Sequence, residues 1–257
     1  METKIQEKIL EAAEPYLKNR VVTDLVVGLS LIACEIDNEK VGVSYVLRHA
    51  LPPGCSVFDF ALEVIGKPAS EIAKWYVTGR DDLQRSIGCA VLTATSQYLN
   101  IEDEETDKLL GIDFQKDDVV GMIGLIPPIA NKLSSKVKEL VIFDESVSEY
   151  GENEVVYKMQ EQPELLPKCD KMIITGSSTI NGSINSLLEM CKNATDIAIV
   201  GSSIPMFKEA FKDTNVTWLS GSWWKNENKN EIFKNISLSC GIMNLSKHMI
   251  KKNEKVD

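Results

Sequence analysis

Between residues 118 and 219, five short apolar runs recur at 118–123, 139–143, 171–175, 196–200 and 216–219. Each has the length of one β-strand, and helical segments lie between several of them, at 128–135, 184–191 and 206–211. Buried parallel strands read as continuous apolar runs because helices cover both faces of their sheet. The alternation therefore predicts an open, mostly parallel α/β sheet.

Four of the runs end alike. They close on Gly121-Met122-Ile123-Gly124-Leu125-Ile126-Pro127-Pro128, Thr175-Gly176-Ser177-Ser178-Thr179, Gly201-Ser202-Ser203-Ile204-Pro205 and Ser220-Gly221-Ser222. Glycine permits close backbone approach, Ser and Thr cap a following helix, and helix N-termini offer free N–H groups. In an open α/β sheet the carboxyl ends of the strands line one crevice, where ligands bind. The candidate ligand contacts are Gly121, Gly124, Pro127, Thr175, Gly176, Ser177, Ser178, Asn181, Gly201, Ser202, Ser203 and Gly221. Any one such turn also serves as a plain connector; the set points to a shared crevice.

The first turn is not the full glycine fingerprint of a dinucleotide site. Proline near the first helical position lacks the N–H that a pyrophosphate wants, which disfavours a nicotinamide dehydrogenase. Asp144 follows Gly121 at about the 20-residue offset of the ribose-binding acid in Rossmann sheets. It either serves a nucleoside-like ligand or caps a helix.

The first half reads differently. Thr3 and Gln6 suggest a capping box for a helix that should end or kink near Glu14, ahead of Pro15. Residues 24–36 read as one strand, 37–40 as a turn, and 41–47 alternate as the second arm of a hairpin. Pro52-Pro53-Gly54 marks a loop, short helices are expected at 59–65 and 70–76, and Asp81 or Asp82 can cap a long buried helix. This order is α+β. The acidic stretch at 102–107 is the expected boundary, giving domains over 1–105 and 106–257.

A formal net charge of −10 has the wrong sign for a protein that neutralises phosphate backbones, so neither nucleic acid nor an anionic membrane is expected as a partner. No apolar run approaches the ~20 residues of a membrane span, and the charged N-terminus does not read as a secretory signal. The six cysteines form no CxxC pair and read as reduced thiols, which implies a cytoplasmic protein. General frequency makes a homodimer the default assembly.

The strand-end motifs resemble a heavy-metal chelation family, long classed as a domain of unknown function. The resemblance is carried by residues 121–128, by 166–170 leading into Ile173-Ile174-Thr175-Gly176-Ser177-Ser178-Thr179-Ile180-Asn181-Gly182, and by 200–205. Val27-Gly28-Leu29 and Ser86-Ile87-Gly88-Cys89-Ala90 are similar too. The likeness spans about residues 5–225. It implies an enolase-N-terminal-like α+β domain, then a Rossmann-like domain, with a site between them. It also implies a role in making or breaking down metal-chelating small molecules such as pterin- or siderophore-like compounds. The chain departs from the family pattern at Gly201-Ser202-Ser203-Ile204-Pro205, where the family often has Gly-Pro-Ser-Thr-Pro, and at Trp223-Trp224-Lys225, where the family has an acid.

Acid–base candidates are few. The chain has two histidines, and His248 falls in a Lys-rich tail. His49 could act as a general acid or base if its loop tips over the crevice. Glu35, polar in an apolar strand, faces either the interdomain cleft or solvent. Asn181 either holds a ligand through its amide or caps a helix. His49 and Cys55 share a loop without a visible third ligand, so no fixed metal site is expected, and handling a chelator is the better reading. No cofactor is identified. Two functions follow: an enzyme that condenses, hydrolyses or transfers a group on a chelator-like or heterocyclic substrate, with Glu35, His49 or Asp144 nearest the chemistry, or a non-catalytic carrier or sensor of a metal complex or nucleoside-like ligand.

Overall fold

The computed structural model describes residues 4–48, 60–102, 108–148 and 156–256. The chain opens with α1 (Ile5–Leu17), followed by β1 (Val22–Val27), β2 (Leu31–Ile36) and β3 (Lys40–Tyr45) in one antiparallel sheet of order β1-β2-β3. After this sheet come α2 (Ala69–Ala73), α3 (Trp75–Thr78) and α4 (Asp82–Ser96). Asp81 caps α4 by accepting from the Gln84 N–H at 2.9 Å, as its sequence position suggests.

Two expectations for this half change, and one is narrowed. The run 24–36 is two strands, because the chain reverses at 28–30 with the Gly28 N–H donating to the Leu31 carbonyl at 2.9 Å. Among the described residues of the segment 59–65, the helix is a single 3-10 turn, Ala61–Glu63. Of the two outcomes that Pro15 left open, helix α1 does not end at Glu14 but runs through Pro15 to Leu17. Glu11, whose carbonyl loses its helical partner at Pro15, is exposed, while Leu17 is buried at the helix end. Thr3 lies outside the described residues; the observed N-terminal contact is the Lys4 N–H to Glu7 Oε2 at 3.1 Å.

Strands β2 and β3 have both faces covered. Ile32, Cys34 and Ile36 join the core that includes α1 and α4. Leu31, Ala33, Val41 and Val43 join Ile232 and Ile236 on the opposite face. These last two residues belong to a helix far along the chain.

The second half alternates strand and helix: β4 (Val119–Ile123), α5 (Pro127–Leu133), β5 (Glu139–Phe143), α6 (Glu145–Ser148), β6 (Val156–Tyr157), α7 (Gln162–Leu165), β7 (Lys171–Thr175), α8 (Ser183–Met190), β8 (Asp196–Val200), β9 (Trp218–Trp224), α9 (Lys229–Ser237) and β10 (Met249–Lys255). Its sheet has seven strands in the order β10-β9-β8-β7-β4-β5-β6. Every pairing is parallel except β10 with β9. Strand β4 pairs with both β5 and β7, so the chain winds outward in both directions from there. This is an α+β unit followed by a Rossmann-like open sheet, and the order reverses between β4 and β7.

Two further expectations are corrected here. The fifth strand does not end at 219: β9 continues to Trp224, so Ser220-Gly221-Ser222 is strand rather than turn. The Lys-rich tail is β10, and His248 just before it is buried. After β9 the chain crosses back, lays α9 on the N-terminal sheet, and returns as β10. None of the described helices is long and apolar enough to cross a membrane.

Candidate functional site

The reversal of strand order places the ends of β4 and β7 side by side, and this is where an open α/β sheet opens a crevice. At the end of β4, Gly124 has φ +83, and a Cβ there would stand 3.1 Å from the Thr175 side chain. A larger residue would be strained and would crowd Thr175. At the end of β7, the Thr175 and Ser177 hydroxyls lie 2.9 Å apart, and both residues are half-buried. Ser178 and Thr179 turn inward instead, donating to the Thr175 and Gly176 carbonyls at 2.7 Å each. Thr175 and Ser177 are thus the half-buried hydroxyl pair of this turn, and Thr175 Oγ1 also accepts from the Ser177 N–H at 3.4 Å.

The β4 turn cannot cradle a pyrophosphate. Pro127 and Pro128 occupy the first two positions of α5, so two N–H groups that would face an anion do not exist. Asp144 is committed as well. Its Oδ2 accepts from the Leu125 N–H at 2.7 Å, tying the β4 turn to the β5 turn, and its Oδ1 accepts from the Ser146 N–H at 3.0 Å. The Ser146 hydroxyl donates to the same Oδ1.

The third turn lies under the N-terminal unit. Ser203 Oγ accepts from the Tyr45 N–H at 2.8 Å, and the Ser203 carbonyl accepts from Cys89 Sγ at 3.2 Å. A Cβ on Gly176 would stand 2.8 Å from the Ile204 N, so the second and third turns touch. Gly201, with φ +120, has open space where its Cβ would be.

The predicted residues therefore separate. Gly124, Thr175, Gly176, Ser177, Ser178, Gly201, Ser202 and Ser203 gather at the ends of β4, β7 and β8. Gly121 does not join them. It sits inside β4, and Met172 Sδ and Cys169 Sγ lie 2.3 and 3.1 Å from its missing Cβ. Gly221 is likewise inside β9, with Met206 Sδ 2.5 Å from that position. Both glycines make room for sulfur, not ligand. Asn181 is exposed, and its Oδ1 accepts from the Ser183 N–H at 3.1 Å at the start of α8. His49 and Cys55 lie outside the described residues.

Glu35 faces the other half of the protein rather than solvent. It is 2 % exposed, and its Oε2 accepts from Thr23 Oγ1 and from Lys229 Nζ, each at 2.8 Å. Lys229, on α9, also reaches Asp24 at 2.8 Å. The hydrogen bonds and charges of Glu35 and Asp24 raise the Lys229 pKa against a desolvation that would lower it. Nothing in the polar run around Lys229 announces this partner; only the chain crossing makes it.

Four of the six cysteines, Cys34, Cys89, Cys169 and Cys191, are buried. Burial pushes the Cys169 and Cys191 thiols up to about 12. Cys34 and Cys89 are raised further, by burial first, with Glu35 and then Asp24 adding to the effect at Cys34. A thiolate, the form that binds metal, is disfavoured at all four. Among the described residues no group of three or more His, Cys, Asp and Glu could hold a metal ion.

A family model described as "Putative heavy-metal chelation" matches residues 108–255, and a second model with the same description matches residues 10–96. An uncharacterized protein of Methanocaldococcus jannaschii is 27 % identical over 146 residues, 55 % of each chain, so the chain spans about half the length of that relative. A crystal structure of a protein of unknown function from Pyrococcus horikoshii superposes with a TM-score of 0.78 at 20 % identity, covering 98 % of this chain and all of that one. A second, from Desulfitobacterium hafniense, gives 0.73 at 19 % identity over 97 % of this chain and 98 % of that one.

Proposed function

The chain belongs to the family described as "Putative heavy-metal chelation", and on that footing we propose that it binds a small oxygen-donor chelator, or its metal complex, at the crevice where β4, β7 and β8 end. The observation that carries this reading is the Thr175–Ser177 hydroxyl pair, half-exposed beside Gly124 at the reversal of strand order. Hydroxyls and turn N–H groups recognise the oxygen atoms of such a molecule. The raised thiols of Cys34, Cys89, Cys169 and Cys191 speak against these four as soft ligands.

Binding without turnover is the reading that the geometry favours over chemistry on the ligand. Asp144 holds the Leu125 N–H and the Ser146 N–H, and Glu35 holds Thr23 and Lys229. Both carboxylates are thereby engaged in holding the fold together. The commitment of Asp144 and the prolines at the start of α5 also speak against a nucleoside or dinucleotide ligand.

Calorimetric titration with 2,3-dihydroxybenzoate, a catechol carboxylate, and separately with Zn2+ alone, tests the reading. The chelator should bind, and Thr175→Val should weaken it about tenfold, the worth of one hydrogen bond. Tight Zn2+ binding that ignores Thr175→Val, with no heat from the chelator, would overturn it.

A further inference from the structure

The sequence contains one Asn-Gly pair, Asn181-Gly182. It lies between the turn 175–179 and α8, and Asn181 is exposed there. Asn181 Oδ1 accepts from the Ser183 N–H at 3.1 Å. That bond closes a small ring containing both Asn181 Cγ and the Gly182 nitrogen, so the two atoms are kept side by side. The Gly182 N–H donates to nothing among the described residues, so no bond within the protein has to break to free it. Gly182 brings no Cβ to shield its nitrogen, and its φ of +81 is one that a larger residue resists. The Ser183 N–H opens α8 and is aimed at the oxygen that gains negative charge when Cγ is attacked.

We propose that Asn181 is a self-modification site, at which asparagine is converted to aspartate and isoaspartate through a succinimide. The Gly182 nitrogen loses its proton to solvent and bonds to Cγ. The Cγ–Nδ2 bond breaks, and Nδ2 leaves with a proton as ammonia. Water then opens the imide at Cγ, which gives aspartate, or at the main-chain carbonyl carbon of residue 181, which gives isoaspartate. The site does not depend on what the crevice binds. Its second product reaches α1 through Asn185. Asn185 Oδ1 accepts from the Ile5 N–H, and its Nδ2 donates to Gln6 Oε1 and to the Gly182 carbonyl, each at 3.0 Å. Isoaspartate adds a methylene to the main chain just before Gly182, which displaces that carbonyl and loosens α1 from α8.

The full chain is incubated in mildly alkaline buffer, folded and in urea, and its peptide 172–192 is mapped by mass. In the folded protein Asn181 should gain the mass of one amide-to-acid conversion about tenfold faster than Asn185, the control within α8. Chromatography should resolve aspartate and isoaspartate forms. Asn181→Gln should abolish the gain. Aged wild type should melt below fresh wild type, and aged Asn181→Gln should not. An Asn181 that stays intact in the folded protein while converting in urea means that the fold guards the pair, and overturns the proposal. A gain that survives Asn181→Gln overturns it too. Aged protein rich in isoaspartate that melts like the fresh protein overturns the effect on α1 and leaves the site standing.

Discussion

Replacing Lys229 with Met should unfasten α9 from the N-terminal sheet. The Glu35 carboxylate is 2 % exposed and receives two hydrogen bonds at 2.8 Å, one from Lys229 and one from Thr23. Met keeps the length and apolar stem of lysine but leaves a buried carboxylate with only the Thr23 hydroxyl. Breaking a buried ion pair by removing one partner costs about 3–5 kcal/mol. Lys229 and Asp24 are 22 % and 38 % exposed in their side chains, so screening reduces this to about 2–4 kcal/mol. In a protein of this size that is a fall in melting temperature of roughly 5–15 °C. Thermal and urea unfolding of Lys229→Met measure it, and adding Glu35→Gln should recover about half the loss, because a neutral amide needs no counter-charge. The pH dependence has a definite sign. The Lys229 pKa is raised in the folded protein, so its contribution is complete below the ordinary lysine pKa of about 10.4 and is lost as pH rises through the folded value. A Lys229→Met protein within about 0.5 kcal/mol of wild type would refute the clasp and return Glu35 to the pool of candidate bases.

Three other perturbations bear on the account. Gly42→Ala should leave little folded protein, since the added Cβ would meet the Ala90 carbonyl at 2.1 Å and the Ala94 N at 2.3 Å and push α4 off β3; soluble yield and circular dichroism report it. Asp144→Ala should cost about 1–2 kcal/mol in urea unfolding, because the Leu125 and Ser146 N–H groups lose their acceptor. Iodoacetamide at pH near 8 should leave Cys34, Cys89, Cys169 and Cys191 unmodified in the folded protein, their thiols being raised by burial; peptide mass mapping reads the sites, and rapid labelling of Cys169 or Cys191 would contradict the buried core.

The inner strands of the large sheet were legible because both of their faces are buried, which leaves β5, β7 and β8 as uninterrupted apolar runs. Strand β10 (MIKKNEK) was not, because an edge strand carries Lys and Glu that read as a solvated tail. Helix α9 was missed for a related reason. Its buried face rests on Ile232 and Ile236 within a polar run. The gathering of Gly124, Thr175, Ser177 and Gly201 followed from strand ends being alike in sequence. Gly121 and Gly221 show the limit of that argument, since a glycine that admits a methionine sulfur looks the same in sequence as one that opens a turn. Glu35 could not be resolved from sequence because its partner Lys229 lies on an element that reaches the N-terminal sheet only through the fold.

The central claim, that the crevice at the ends of β4, β7 and β8 holds an organic oxygen-donor ligand, is tested most directly by native mass spectrometry after equilibration with 2,3-dihydroxybenzoate, with Zn2+, and with both. The account predicts an added mass equal to the chelator, with or without its metal, that is diminished in Thr175→Val. An added mass of the metal ion alone, retained in Thr175→Val and lost on thiol alkylation, would contradict it.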